Sequence, residues 1–163
     1  MADDVLASVR ASRPRRGFGV FVLGSLGLML IYLAFTAPPE GFGFQAMLIG
    51  FGMISLWLAN KMWAATQQII ELTMDELRLS DGTVLAPTAQ IASIDRGMFA
   101  FKPSHGFTLK LNSKAPVGWH PGMWWRFGKR LGVGGVTPGS QTRIMADVIS
   151  AMIAERQLGD QPQ

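Results

Sequence analysis

From Gly17 to Ala37 the chain reads GFGVFVLGSLGLMLIYLAFTA, with no charged residue. At about 1.5 Å of rise per residue, such a run makes a helix of roughly 31 Å, close to the hydrocarbon thickness of a bilayer. A second stretch, Phe44 to Ala65, is apolar as far as Ala59, and Asn60 and Lys61 then mark the return to water. Only PPEGFG separates the two. Helices of globular proteins seldom run this long without a polar face. The expectation is a helical hairpin over 17–65 that crosses a membrane twice, with spans at 17–37 and 44–65. The competing arrangement is a pair of buried helices in a soluble core.

Charge sets the expected orientation. Residues 1–16 end in a basic cluster, Arg10, Arg13, Arg15 and Arg16. The connecting loop carries Glu40 and no Lys or Arg, and Lys61 closes the second span. Cationic flanks stay on the cytoplasmic side, so both termini are expected there in a multi-pass arrangement. The apolar run is too long for a signal-peptide core and a second follows at once, which favours an uncleaved first span. Val5, Leu6 and Val9 allow either a short interfacial helix or disorder. Trp57 and Trp63 suit the cytoplasmic interface, and Tyr32 and Phe35 the far one. Ala46 and Gly50 have the small-xxx-small spacing that permits close helix packing. No ionisable residue lies mid-span, which argues against a transporter or channel core.

Of the 163 residues, 48% are hydrophobic and 16% charged, a balance that fits a chain half in lipid. The net charge of +4 is modest and gathers beside the first span. An anionic leaflet is therefore a simpler partner than nucleic acid. The absence of cysteine excludes disulfides and thiolate chemistry.

After Thr66 the pattern turns to alternation. Ile69–Met74 reads as a strand. Leu77 and Leu79 alternate with Arg78 and Ser80, and Asp81-Gly82 predicts a tight primed turn. Thr83–Ala86 returns as the next strand. Ile91 and Ile94 frame another, running into Gly97, Met98, Phe99 and Phe101. Phe107, Leu109 and Leu111 alternate with Thr108, Lys110 and Asn112. Trp119–Arg130 is ambiguous, with one possible strand at Met123–Phe127. GKRLGVGGVTPG lacks the Lys-Ser/Thr ending of a phosphate-binding loop and reads as a flexible connector. Thr137 and Pro138 suit the cap and first turn of a helix. Ile144, Met145, Val148, Ile149, Met152 and Ile153 supply its apolar stripe, and Leu158-Gly159 its stop.

IIELTMDELRLSDGTVLAPTAQIASID, followed by a phenylalanine-rich strand pair, GFTLKL and a terminal amphipathic helix, resembles the bacterial pleckstrin-homology-like domains. The resemblance covers roughly 68–158. It implies two curved antiparallel sheets forming a partly open barrel, with the C-terminal helix plugging one end. It also implies company with membrane helices, hence a bacterial inner (cytoplasmic) membrane. The expected organisation is a cytoplasmic segment 1–16, a hairpin 17–65, a cytoplasmic PH-like α+β domain 66–158 and a tail 159–163. The basic lipid-binding loop of eukaryotic members has no counterpart, since the first hairpin turn carries Asp75 and Glu76.

Within WHPGMWWRFGKR, Trp119–Arg130, tryptophans and cations interleave. Trp124, Trp125, Arg126, Lys129 and Arg130 are the candidate contact residues. They suit anionic lipid headgroups, with indoles at the interface and cations on phosphates. They equally suit a protein partner. In the third arrangement Trp119 and Trp124 are core. His105 and His120 lack companions at metal-ligand spacing, and no nucleophile elbow or paired carboxylate stands out. The functional expectation is a non-enzymatic integral membrane protein without cofactor. It would present a PH-like module that assists or stabilises another membrane protein or complex. The alternative is a sensor of anionic lipid.

Overall fold

The computed structural model describes residues 4–95 and 103–159. Its frame is a hairpin of two helices, α1 (Arg13–Thr36) and α2 (Phe42–Ala65). Both are long and apolar enough to cross a membrane. At 24 residues each they extend about 36 Å. They are not the buried helices of a soluble core, because Phe18, Phe21, Leu28, Phe35, Phe51 and Trp57 are all exposed. The helices meet where side chains vanish. A Cβ on Gly27 would lie 2.8 Å from the Gly52 carbonyl oxygen, and one on Gly52 would lie 2.6 Å from Ile31. Ala34 is fully buried beside this contact, and Gln45 Nε2 donates to the Ala34 carbonyl at 2.9 Å. The expected pair does not serve here. Ala46 and Gly50 are exposed, and Gly50 has open space around it. Spacing identified small residues but not the face they occupy.

Two antiparallel sheets stand at the open end of the hairpin. The first has the order β1-β2-β3-β4, with β1 (Ala7–Arg10), β2 (Ile69–Leu72), β3 (Glu76–Leu79) and β4 (Val84–Pro87). A 3-10 turn at Thr88–Gln90 leads to the second, ordered β5-β6-β9-β8-β7. Its strands are β5 (Ile91–Asp95), β6 (Phe107–Leu111), β7 (Gly118–His120), β8 (Trp124–Phe127) and β9 (Arg130–Val133). There is no closed barrel. Each sheet is bonded within itself, and α3 (Gly139–Gly159) packs across β1 and β5, one edge strand from each. Met145, Ala146 and Ile149 of α3 join a single core with Val9, Ile70, Leu77, Phe107, Leu109 and Leu131. The architecture is thus α+β.

Several expectations change. Residues 7–10 are neither interfacial helix nor disordered. They pair with β2 in the register Ala7↔Leu72 to Arg10↔Ile69, and Val9 is wholly buried. The Asp81-Gly82 turn is not primed, since only Gly82 takes positive φ, at 87°. Gly82 N–H donates to Leu79 O and Leu79 N–H to Thr83 O, the pattern of a type I turn with a glycine bulge. The connector contains a strand: β9 is the middle strand of its sheet. Its Gly132 is no spacer, because a Cβ there would collide with the Trp125 indole. The helix begins at Gly139, and the buried Thr137 hydroxyl makes no capping bond. Ile144 is exposed, and Thr142 takes its inward place, donating to the His105 carbonyl. The strand extension through Gly97, Met98, Phe99 and Phe101 lies outside the described residues.

Candidate functional site

The aromatic-basic segment folds as two hairpin strands that send alternate residues to opposite faces. Trp119 pairs with Trp125, His120 with Trp124, and Gly118 with Arg126. A period of two then puts Trp124 and Arg126 on the core face and Trp125 and Phe127 on the outer face.

On the core face, Trp124 is 4% exposed and stacks on His120, with ring centroids 4.8 Å apart. Gly118 makes room for it, since a Cβ there would lie 2.6 Å from the indole. Trp124 is therefore core, as one of the three arrangements required. Arg126 leaves this face at the seam between the sheets. Its Nε donates to Pro116 O at 2.7 Å and its Nη1 to Leu85 O at 2.5 Å, across to β4. The guanidinium thus fastens the second sheet to the edge of the first. Arg156, near the end of α3, ties that helix to the 3-10 turn between the sheets, donating to Thr88 O at 2.9 Å.

On the outer face stand Trp119, Trp125 and Phe127, with Val117 beside them. Trp119 is 49% exposed, Phe127 70% and Val117 71%. Trp119 is consequently not core, because β7 is the outermost strand and its outer face has no covering layer. Trp125 is half-buried because its indole lies over Gly132 of β9. Lys129 and Arg130 are exposed at the two-residue turn between β8 and β9, where Gly128 takes φ 59°. The five candidate residues are therefore divided: Trp124 and Arg126 hold the fold, and Trp125, Lys129 and Arg130 reach the surface. Sequence reading did not single out Val117 or Phe127 as contact residues, although Phe127 belongs to the aromatic-basic cluster. Their parity with Trp119 and Trp125 around the Pro121-Gly122 turn was the available signal.

The stripe starts beside the hairpin. Trp119, His120 and Pro121 share a groove of about 390 Å³ with Trp57, Asn60, Lys61 and Ala64 of α2. Lys61 Nζ lies 5.6 Å from the centre of the Trp57 ring. Burial and the nearby Lys61 charge lower the His120 pKa below its usual 6.5, partly opposed by Asp81. A lowered base takes up its proton more readily when unfolded. Stability is therefore full above pH 6.5 and is lost as pH falls from there through the folded value. In melting curves the wild type should lose stability over that window, while His120→Gln should stay flat until carboxylates titrate near pH 4. Parallel curves would remove His120 as the cause.

A second polar feature lies where the hairpin joins the sheets. Arg10, Ala11, Arg13, Arg16, Trp63, Gln67 and Gln68 border an open groove of about 480 Å³. The Arg16 guanidinium lies 4.5 Å from the centre of the Trp63 ring. Arg15 points elsewhere, donating to Thr137 O at 2.9 Å.

No protein-family model, curated protein or solved structure matches this chain.

Proposed function

We propose that this protein is a non-enzymatic membrane-anchored module that docks another membrane protein and assists the assembly or stability of its complex. In this reading α1 and α2 span the inner membrane of a bacterium, both termini are cytoplasmic, and the sheets form a PH-like domain. The helix laid over the edges of two sheets supports that likeness.

The observation that carries the reading is the outward stripe Val117, Trp119, Trp125 and Phe127. Val117, Trp119 and Phe127 are exposed and Trp125 half-buried, and the stripe lies on the edge hairpin, where an outermost strand also offers free backbone groups. It begins against the end of α2, so one partner can touch the exposed flank of the helix within lipid and the stripe outside it. Short connections hold the module in place. Only Ala11 and Ser12 separate β1 from α1, and only Thr66–Gln68 separate α2 from β2. Adjacent antiparallel strands continue into adjacent antiparallel helices, which fixes the stripe relative to the bilayer.

The test is affinity recovery of the full chain from native membranes in mild detergent, with mass spectrometry of what accompanies it. A defined membrane protein should co-purify with the wild type. Trp119→Ser with Phe127→Ser should reduce its recovery more than tenfold, since buried aromatic anchors are worth about 2 kcal/mol each. Recovery of the wild-type chain alone would falsify the docking role.

A further inference from the structure

We propose that Arg10, Arg13, Arg16 and Trp63 form a binding site for the phosphate of an anionic glycerophospholipid headgroup. The inference goes beyond partner docking and rests only on the hairpin being in lipid.

The groove brings together cations from separate parts of the chain. Arg10 ends β1, Arg13 opens α1, and Arg16 stands one turn further on. Trp63, Gln67 and Gln68 complete the groove from the end of α2 and the segment after it. The geometry keeps these groups in place. The Arg10 backbone N–H donates to Gln141 Oε1 at 2.9 Å, tying the end of β1 to α3. The Trp63 ring holds Arg16 through a cation–π contact, so no carboxylate is needed to orient its guanidinium.

The charges are uncompensated. Among the described residues, no carboxylate forms an ion pair with Arg10, Arg13 or Arg16, and the first turn of α1 contains no acidic residue. Arg78, by contrast, lies 3.6 Å from both Glu71 and Glu76. Three arginines bordering one groove repel one another unless an anion joins them. Planar guanidinium groups match phosphate oxygens two at a time.

Position selects a lipid over a soluble phosphate. The groove lies at the junction between the apolar helices and the sheets, the level at which headgroups stand. Trp63 is 44% exposed there, an indole at the level where headgroups meet the acyl chains. A volume near 480 Å³ accommodates a phosphodiester with its glycerol.

The full chain in mild detergent would be titrated with phosphatidylglycerol or phosphatidylcholine, and retained lipid counted by native mass spectrometry. Phosphatidylglycerol should be retained in preference to phosphatidylcholine. Arg13→Gln with Arg16→Gln should weaken its binding about twenty-five-fold, from about fivefold per arginine at an anionic interface. Lys129→Gln with Arg130→Gln removes the same charge elsewhere and should change little. Arg10→Gln alone, at the end of β1, should cost about fivefold, and keeps the test open if the double variant fails to fold. Excess inorganic phosphate should leave the lipid bound. Equal retention of both lipids, equal losses in the two double variants, or displacement by inorganic phosphate would each overturn the proposal.

Discussion

Val9→Asp is expected to unfold the β module. Val9 is fully buried in β1, beneath α3 and paired with Ile70 of β2. An aspartate there buries a carboxylate without a partner, and such changes stand at the severe end of single substitutions, about 4 kcal/mol or more. A small domain holds only about 5–15 kcal/mol in total. Val9→Ala should cost less, about 2 kcal/mol, through lost apolar burial alone. Removal of residues 1–11 should be worse than either, because it strips a strand from the sheet and uncovers the face of α3. Urea titration of the full chain in detergent, followed by near-ultraviolet circular dichroism and by trypsin resistance, reads all three. Native-like resistance in Val9→Asp or in the truncated chain would show that β1 is dispensable, and the joined hairpin and sheet would have to be abandoned.

The second large effect falls on the aromatic segment. Trp124→Ala should destabilise the module by about 3–5 kcal/mol, the usual range for emptying an aromatic core site. The indole is buried, stacked on His120 and seated over Gly118. Trp119→Ser, only five residues earlier, should change stability by no more than about 0.5 kcal/mol, as exposed substitutions do. Its consequence belongs to partner recovery instead. A stable Trp124→Ala beside an unstable Trp119→Ser would mean that the two faces of the hairpin had been exchanged.

The two helices were legible because hydropathy over a long window depends on no distant residue. The same holds for β2 to β6 and for most of the α3 stripe, where apolar residues recur at the period of the element that carries them. Legibility failed where a partner far along the chain decides the structure. Residues 7–10 are too few to announce a strand, and they become one because β2 supplies hydrogen bonds from far along the chain, 65 residues on at Ala7↔Leu72 and 59 at Arg10↔Ile69. GKRLGVGG looked like a spacer because its glycines lack side chains, yet Gly132 is bare because Trp125 covers it. Parity could have separated Trp119 from Trp124, but only once the turn between them was placed.

By itself, then, the sequence determined two apolar helices joined by a short loop and a β-rich second half ended by an amphipathic helix. Composition and periodicity are local properties, and they survive without knowledge of the fold. Tertiary structure alone decided that Arg126 clasps two sheets while Arg10, Arg13 and Arg16 meet beside Trp63. It also decided that Gly27 and Gly52, not Ala46 and Gly50, bring the helices together. Each of these depends on which residue stands opposite, a relation that chain order does not contain and packing supplies.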